Sequence, residues 1–457
     1  MEVANKTFMI VGAGRSGIAA ARFLAGKQAR MILTDTKTYE ELAEEGYGIE
    51  SAVNLMGVRT VFGRQPTEEE VAECDCLILS PGAPPDIPPC KLAEKHKIEV
   101  WSEIEFANSF YRGSVVAITG TNGKTTTTTL TGELFRDAGY ETYVGGNIGD
   151  PFINYAERAG KDSVIALEIS SFQLSMTKNL RPKIAVITNI TPDHLDRHKT
   201  MECYIDAKAK IFANMRGSDT AILNYDDPLV RDLKKRIQCD CFFFTLKDDP
   251  TKQAFLSGDK IMLNIGGNTV TLIARQELNL LGDHNIANVM CASLAAYHYG
   301  VSLDSIRRTL RVFRPVEHRL EYVAEVNGVT YINDSKGTNP DASMIALKAM
   351  DRPVVLIMGG YDKHSDFTEM FDLIKTKVKH IVVLGQTKDL ILQTAAACGY
   401  DAITAVENYS QAVEVCAKKA VSGDCVLLSP ACASWGMFEN YEQRGELFKE
   451  LVRNLSK

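Results

Sequence analysis

Apolar residues gather in short runs along this chain, and each run gives way to small or polar residues. In the first hundred positions TFMIV leads into GAGRSG, ARMILT into DT, and CDCLIL into SPGAPP. A second series, VVAIT, SVIALE, KIAVI and TAILN, is interleaved with longer stretches of helical spacing. A third comprises VAEV, VTYIN, VVLIM, HIVVL and CVLL. Runs of this length, alternating with helical segments, predict buried strands of parallel sheets joined by crossover helices. One connection reads differently: Asn327-Gly328, between alternating apolar residues, predicts a tight hairpin. The three series define three segments with junctions near residues 103 to 112 and 311 to 317, so the expected division is 1–108, 109–314 and 315–457.

Length supports that division, because 457 residues exceed what one compact core accommodates. With 45% hydrophobic and 24% charged residues, the composition indicates an ordinary globular protein rather than a disordered or fibrous one. A formal net charge of −7 argues against a general nucleic-acid binder and leaves local basic pockets for small anionic ligands. Eleven scattered cysteines include two Cys-x-Cys pairs (Cys74/Cys76 and Cys239/Cys241) but no Cys-x-x-Cys. That pattern predicts reduced thiols and a cytoplasmic location. The first residues lack a signal-peptide pattern, and no apolar run reaches the roughly 18 residues a membrane helix needs, so membrane insertion is not expected.

Candidate chemistry sits in the turns after the apolar runs. Gly12-Ala-Gly14-Arg-Ser-Gly17 precedes an Ala-rich helix, and Asp35 closes the next run 18 residues after Gly17. In the dinucleotide pattern such glycines let the backbone approach a pyrophosphate, and the acid takes a ribose hydroxyl. These residues leave three readings open: an NAD-dependent oxidoreductase, another diphosphate ligand, or a turn that merely needs glycine. Gly120-Thr121-Asn122-Gly123-Lys124-Thr125-Thr126 joins a strand to a helix start. Backbone N–H groups of such a loop face phosphate oxygens, the lysine reaches the β- and γ-phosphates, and the Thr125 hydroxyl suits Mg²⁺. ATP is the ligand this predicts, although Ile118 stands where a longer loop has its first glycine.

Glu168, at the end of SVIALE, has the position of a metal-bound carboxylate facing phosphates, or of a solvated strand end. His194 and His198 are four apart, a zinc spacing on a helix. The glutamate of His-Glu-x-x-His is missing and Pro192 starts the segment in a loop, which favours a magnesium-side histidine or a surface pair. Asn285 and Asn288, three apart at a helix start, suit either a base edge or a helix cap. In the third segment EHRLE, NDSKGTNP, GGYDKHSDF and SPACAS…NYEQRG bring cations to turns where an anionic ligand fits.

GTNGKTT resembles the loop of the Mur ligases and folylpolyglutamate synthases, an ATP-dependent amide-forming superfamily, and its short spacing is then a variant phosphate loop. GAGRSG, SPGAP, TGTNGKTTT, GGNIG, LEISSFQL, NITPDHLDRH, DAKAKIF, GDHNIAN, EHRLE, NDSKGTNP, GGYDK and SPACAS…NYEQRG follow the order of the D-glutamate-adding (MurD) branch of the Mur ligases. They span nearly the whole chain. Folylpolyglutamate synthases lack the GAGRSG domain, and the Asp-Asn-Pro-Arg motif of diaminopimelate-adding enzymes is absent. The resemblance implies an α/β protein of three domains, each with a largely parallel sheet: Rossmann-like, then of the P-loop ATPase type, then Rossmann-like. It implies a cytoplasmic monomer that uses ATP to add D-glutamate to UDP-N-acetylmuramoyl-L-alanine through an acyl phosphate, in peptidoglycan precursor synthesis. No nucleic acid or membrane takes part.

The same resemblance implies residue roles. Gly120 to Thr126 hold the ATP phosphates, with Lys124 on the transferring group. Thr125 and Glu168 take one Mg²⁺; His194, supported by Asp193, and a carbamylated Lys208 take a second. Lys210, two residues on, faces elsewhere on the helix, about 200° away. Asn285 and Asn288 face adenine, and Arg319 and Asp334 reach the nucleotide from a third domain that closes over the second. Arg15, Ser16, Asp35, Thr36 and Gly82 hold UDP, and Asn147, Ser170 and Gln173 line the muramoyl-alanine arm. His318, Lys336, Thr338, Lys363, Ser434 and Tyr441 receive D-glutamate; relatives carry phenylalanine in place of Tyr441, and small residues in place of Arg15.

Overall fold

The computed structural model describes residues 3–314, 317–361 and 365–455. Among these residues the strands form three sheets. The first contains β1 (Thr7–Val11), β2 (Arg30–Thr34), β3 (Val58–Val61), β4 (Cys76–Leu79) and β5 (Glu99–Ser102) in the order 3-2-1-4-5, all parallel. The second contains β6 (Ser114–Thr119), β7 (Thr142–Gly146), β8 (Val164–Glu168), β9 (Ile184–Ile187), β10 (Gly217–Asn224), β11 (Cys239–Thr245), β12 (Ala254–Ser257), β13 (Lys260–Ile265) and β14 (Asn268–Ala274). Their order is 14-13-12-11-10-9-6-8-7, and only β12/β13 and β13/β14 pair antiparallel. The third contains β15 (Glu321–Val326), β16 (Val329–Asn333), β17 (Val354–Met358), β18 (Val378–Val383), β19 (Ile403–Ala405) and β20 (Cys425–Leu428) in the order 15-16-20-17-18-19, with β15/β16 the antiparallel pair. The α/β reading with three largely parallel sheets holds.

The apolar runs form these strands because helices cover both faces. Every residue of β1, β8 and β17 is buried, as parallel strands require. The hairpin expected at Asn327-Gly328 joins β15 to β16, with φ of 53° and 75° at its two central residues, the geometry of a type I′ turn. Several helices open on reciprocal caps: Thr38 with Glu41, Thr67 with Glu70, and Ser170 with Gln173. No helix among the described residues is long and apolar enough to cross a membrane, and all eleven cysteines are unbridged.

Contacts group the chain into two compact units. One runs to Ala274 and takes in Ala287–Leu310; the other joins Arg275–Ile286 to the chain from Arg311. The first unit holds two sheets, and the short helix Glu103–Asn108 binds them with two buried carboxylates. Glu103 accepts the Ile153 N–H at 2.8 Å, while Glu105 accepts those of Lys178 at 2.9 Å and Asn179 at 2.8 Å. The second oxygen of Glu103 has no partner, and burial pushes this carboxyl up to about 7.

Candidate active site

In the first sheet the strand order reverses between β1 and β4, and a crevice opens beyond their carboxyl ends. Turns after β1, β2 and β4 enclose about 550 Å³ there, lined among others by Arg15, Ser16, Asp35, Thr36 and Gly82. All five residues expected for a diphosphate ligand thus meet in one cavity. Asp35 stitches its rim by accepting the N–H groups of Ala13 at 2.8 Å and Lys37 at 3.1 Å. Arg15 donates to the Gly149 carbonyl at 3.1 Å and lies over the Tyr47 ring. A second cavity of about 520 Å³ shares Ser80, Pro81, Ala83 and Pro84 with the first and reaches Phe172, Gln173, Arg197 and His198 beside the second sheet. Arg197 stands 4.0 Å above the Phe172 ring, and His198 stacks on the same ring while bonding the Ser171 hydroxyl at 2.9 Å. Sequence reasoning singled out His198 only as half of a zinc pair and passed over Arg197, because their shared partner Phe172 lies on another element.

The loop after β6 is shaped for close approach. Gly123 has φ of 84°, and a Cβ there would lie 2.3 Å from Asn288 Oδ1; one at Gly120 would lie 1.9 Å from Thr188 Oγ1. Asn189 braces the loop from behind, accepting the Asn122 N–H at 2.8 Å and donating to the Asn122 carbonyl at 3.0 Å. Thr188 donates to that carbonyl at 2.6 Å. The helix Lys124–Asp137 starts directly after Gly123, so its N-terminal end and positive dipole end face the loop, a setting for phosphate oxygens. Lys124 Nζ donates to the carbonyls of Gly120 at 3.0 Å and Thr121 at 2.7 Å, and Thr125 and Thr126 are buried behind it. Asn288 Oδ1 accepts the Thr127 hydroxyl at 3.2 Å, which ties Asn288 to the helix that follows this loop.

Lys208, on the helix Met201–Ala209, departs from the solvated default of a helical lysine. It is 1% exposed, donates to the Gly120 carbonyl at 2.8 Å, and lies 4.5 Å from the centre of the Tyr204 ring. Burial, then the Lys124 ammonium, hold Lys208 well below the usual lysine range, with Asp193 and Glu168 opposing. Lys210 points away and bonds the Ser175 carbonyl at the surface. Glu168 ends β8 as expected. Asn147 donates to its Oε1 at 2.9 Å, while Oε2 is buried without a partner. A carboxyl oxygen left so beside a phosphate loop fits a hard divalent cation. His194 lies edge-on to Phe172 next to Asp193, whose carboxylate accepts the His194 N–H at 2.9 Å. Gln173 accepts both the N–H and the hydroxyl of Ser170, at 2.9 and 3.0 Å.

In the second unit the expected residues cluster beyond the carboxyl ends of β16 and β20. Asp334 accepts the Leu320 N–H at 3.3 Å and the Ser429 hydroxyl at 2.8 Å; burial raises its carboxyl to about 6 despite Arg319. Arg319 keeps a buried Nε without a partner. His318, Lys336 and Tyr441 form one group: the Tyr441 ring lies 6.1 Å from the His318 ring and 5.0 Å from Lys336 Nζ. Thr338 donates its N–H to the Lys336 carbonyl at 3.0 Å, and Ser434 is buried in the turn after β20. Asn285 donates to the Leu281 carbonyl at 2.8 Å, a different anchor from that of Asn288. Lys363 lies outside the described residues. Arg444 was not anticipated as an individual residue, although NYEQRG was. It is 1% exposed and clamps two turns together, donating to the Ser335 hydroxyl at 2.9 Å, the Ser335 carbonyl at 2.7 Å and the Cys432 carbonyl at 3.1 Å.

Three family models match this chain: the N-terminal domain of MurD-like Mur ligases at residues 6–102, the Mur ligase middle domain at 118–296, and the Mur ligase glutamate ligase domain at 318–432. Among curated relatives, the UDP-N-acetylmuramoylalanine–D-glutamate ligase of Pelotomaculum thermopropionicum is 46% identical over 99% of this chain and 98% of its own length. The enzyme of that name from Thermoanaerobacter sp. (strain X514) is 45% identical over the whole of both chains. Two solved structures share the fold. One is a pseudomurein peptide ligase type C from Methanothermus fervidus (TM-score 0.60, 18% identity, 99% of this chain and 100% of that one). The other is the MurF ligase of Thermotoga maritima in complex with ADP (TM-score 0.60, 17% identity, 99% and 96%).

Proposed function

This chain belongs to the Mur ligase family, and we propose that it carries out the reaction named for its full-length relatives, the ATP-dependent joining of D-glutamate to UDP-N-acetylmuramoylalanine. One observation carries the reading into chemistry: Lys124 and the buried Lys208 meet at the carbonyl of Gly120, in a glycine-rich loop that opens a helix. Such a loop gathers phosphates, and a lysine at its mouth beside a second, buried one suits phosphoryl transfer.

In this reading the loop from Gly120 to Thr126 holds the ATP phosphates, Asn285 and Asn288 face adenine, and Arg319 and Asp334 approach the nucleotide from the third sheet. The crevice holding Arg15, Ser16, Asp35, Thr36 and Gly82 takes UDP, and the muramoyl-alanine arm runs past Asn147, Ser170 and Gln173. His318, Lys336, Thr338, Lys363, Ser434 and Tyr441 receive D-glutamate. The three tasks fall to residues 1–108, 109–314 and 315–457 of a monomeric enzyme.

The alanine carboxylate attacks the γ-phosphorus and forms an acyl phosphate with release of ADP. The amine of D-glutamate then adds to the acyl carbon, and the tetrahedral adduct expels phosphate as the amide forms. No side-chain nucleophile is needed; Lys124, the loop amides and the helix dipole hold the phosphoryl oxygens and offset their charge. Burial of Lys208 favours its uncharged amine, the form that adds CO₂ with loss of a proton, so its terminus becomes a carbamate anion. Thr125 and Glu168 would hold one Mg²⁺ and His194 with carbamylated Lys208 another, the bound ions neutralising phosphate charge.

Phosphate release from ATP tests the reading across a small substrate matrix, with UDP-N-acetylmuramoyl-L-alanine or a folate acceptor set against D-glutamate, L-glutamate or no amino acid. Release only with the UDP acceptor plus D-glutamate is expected. Release with folate and L-glutamate would keep the superfamily chemistry and overturn the substrates.

A further inference from the structure

His318 lies just before β15 with φ of 63°, and it is 4% exposed. Its ring rests against the helix Tyr441–Asn454 at Gly445, where an added Cβ would stand 2.2 Å from Nδ1. Asn333 Nδ2 is 3.0 Å from Nδ1. The nearest carboxylate oxygens, Glu321 Oε2 at 3.8 Å from Nδ1 and Glu446 Oε1 at 3.7 Å from Nε2, are beyond hydrogen-bond reach.

The surroundings of Asn333 leave its amide one orientation. Oδ1 accepts the Ser335 N–H at 3.1 Å, and Nδ2 donates to Glu321 Oε2 at 3.0 Å. Turned over, the amide would set its NH₂ against an N–H and its oxygen against a carboxylate. The second Nδ2 hydrogen therefore points at His318 Nδ1, which carries a lone pair, and the imidazole proton is at Nε2.

Charged groups behind the ring hold this arrangement. Lys449, 3% exposed, bonds Glu317, Glu321 at 3.3 Å and Glu446 at 2.6 Å. Its ammonium supplies the cation that Glu317, His318 and Glu446 would otherwise gather, and it pairs with Glu321, the acceptor for Asn333. The Tyr441 ring also meets the His318 ring edge-on, and Lys336 Nζ lies 5.0 Å from the centre of the Tyr441 ring.

We propose that Asn333, backed by Glu321 and Lys449, is a positioning residue that fixes His318 as an Nε2–H donor to a carboxylate of the incoming amino acid, and that His318 is not the base for its amine. The inference rests on the assignment of His318 to the D-glutamate site. A base acting through Nε2 needs the lone pair there, and moving the proton to Nδ1 would set two N–H groups against each other. A dicarboxylate substrate makes a buried N–H donor useful, since hydrogen bonds to ionised acceptors are the strong ones.

Long-range ¹H–¹⁵N spectra of the full chain with labelled histidine, assigned through His318→Gln, read the tautomer without substrate. Nε2 protonated and Nδ1 bare is expected, with Nδ1 becoming protonated in Asn333→Asp; a protonated Nδ1 in the wild type overturns the proposal. Kinetics test the role. The glutamine amide nitrogen reaches the Nε2 position, so His318→Gln should keep kcat within about tenfold and preserve the acidic limb of the pH profile of kcat/KM for D-glutamate. His318→Ala should raise that KM at least about tenfold more than the glutamine variant does. A glutamine variant as impaired as the alanine one overturns the donor role. If neither variant alters any constant for D-glutamate while the tautomer is as stated, His318 lies outside the amino-acid site, and the role falls together with that assignment.

Discussion

The Nζ atoms of Lys124 and Lys208 lie 3.0 and 2.8 Å from one acceptor, the carbonyl oxygen of Gly120, although the two lysines come from different helices. Two ammonium groups at one carbonyl repel each other, and Lys208 alone is sealed from water. The pair is therefore asymmetric: burial acts on Lys208, which is the group whose charge can change.

Replacing that group isolates its role. Lys208→Ala should lower turnover by about a thousandfold or more, the scale of a lost transition-state contact. Short carboxylic acids, added at millimolar levels to the phosphate-release assay, should restore part of the rate by standing in for the carbamate. Near-normal turnover in the unrescued variant would remove Lys208 from the site.

Gly123→Ala tests the phosphate loop. The new methyl group meets Asn288 Oδ1 and the backbone stays at positive φ, a strain of about 1–3 kcal/mol. ATP binding measured by calorimetry should weaken by about tenfold or more, while binding of the UDP substrate stays unchanged. Equal affinity for ATP in both proteins would mean that the loop relaxes freely.

Stability should depend on pH through Glu103. Its folded value of about 7 lies above the ordinary 4.5, so between these values the folded state holds a proton that the unfolded chain has lost. The contribution is fully present below about 4.5 and is lost as pH rises through about 7, a total loss of about 3 kcal/mol. Glu103→Gln, which mimics the protonated carboxyl, should raise the midpoint of urea unfolding at pH 8 and change it little at pH 5. An identical shift at both values would point to packing instead.

Arg444→Lys should act on the amino-acid site without touching substrate. Lysine cannot reach both Ser335 and the Cys432 carbonyl, and each lost charged hydrogen bond costs about 1.5–3 kcal/mol. Loosening these turns should raise the KM for D-glutamate several-fold, and should leave the affinity for UDP-N-acetylmuramoyl-L-alanine as it was. A stability loss with an unchanged KM would make Arg444 purely structural.

Much of this architecture is legible in the chain itself, for a local reason. Apolar runs bounded by glycine and polar residues set β1, β6, β8 and β17, and the loop chemistry follows at their ends because parallel strands all finish on one side. Asn327-Gly328 specified its turn by backbone preference alone. The variant loop from Gly120 to Thr126 is equally local, since its glycines, lysine and threonines are neighbours in sequence.

Contacts between distant residues were decided only by the tertiary structure. Lys208 and Gly120 are 88 positions apart, and nothing in the spacing of a short helix says that its lysine faces a buried carbonyl. The same holds for Asn288 against Gly123, for Glu103 against Ile153, and for Arg444 between Ser335 and Cys432. Periodicity determines which side chains share a face. Packing of one element on another determines what that face meets, and burial then sets whether a charge there is solvated, paired or pushed toward its neutral form.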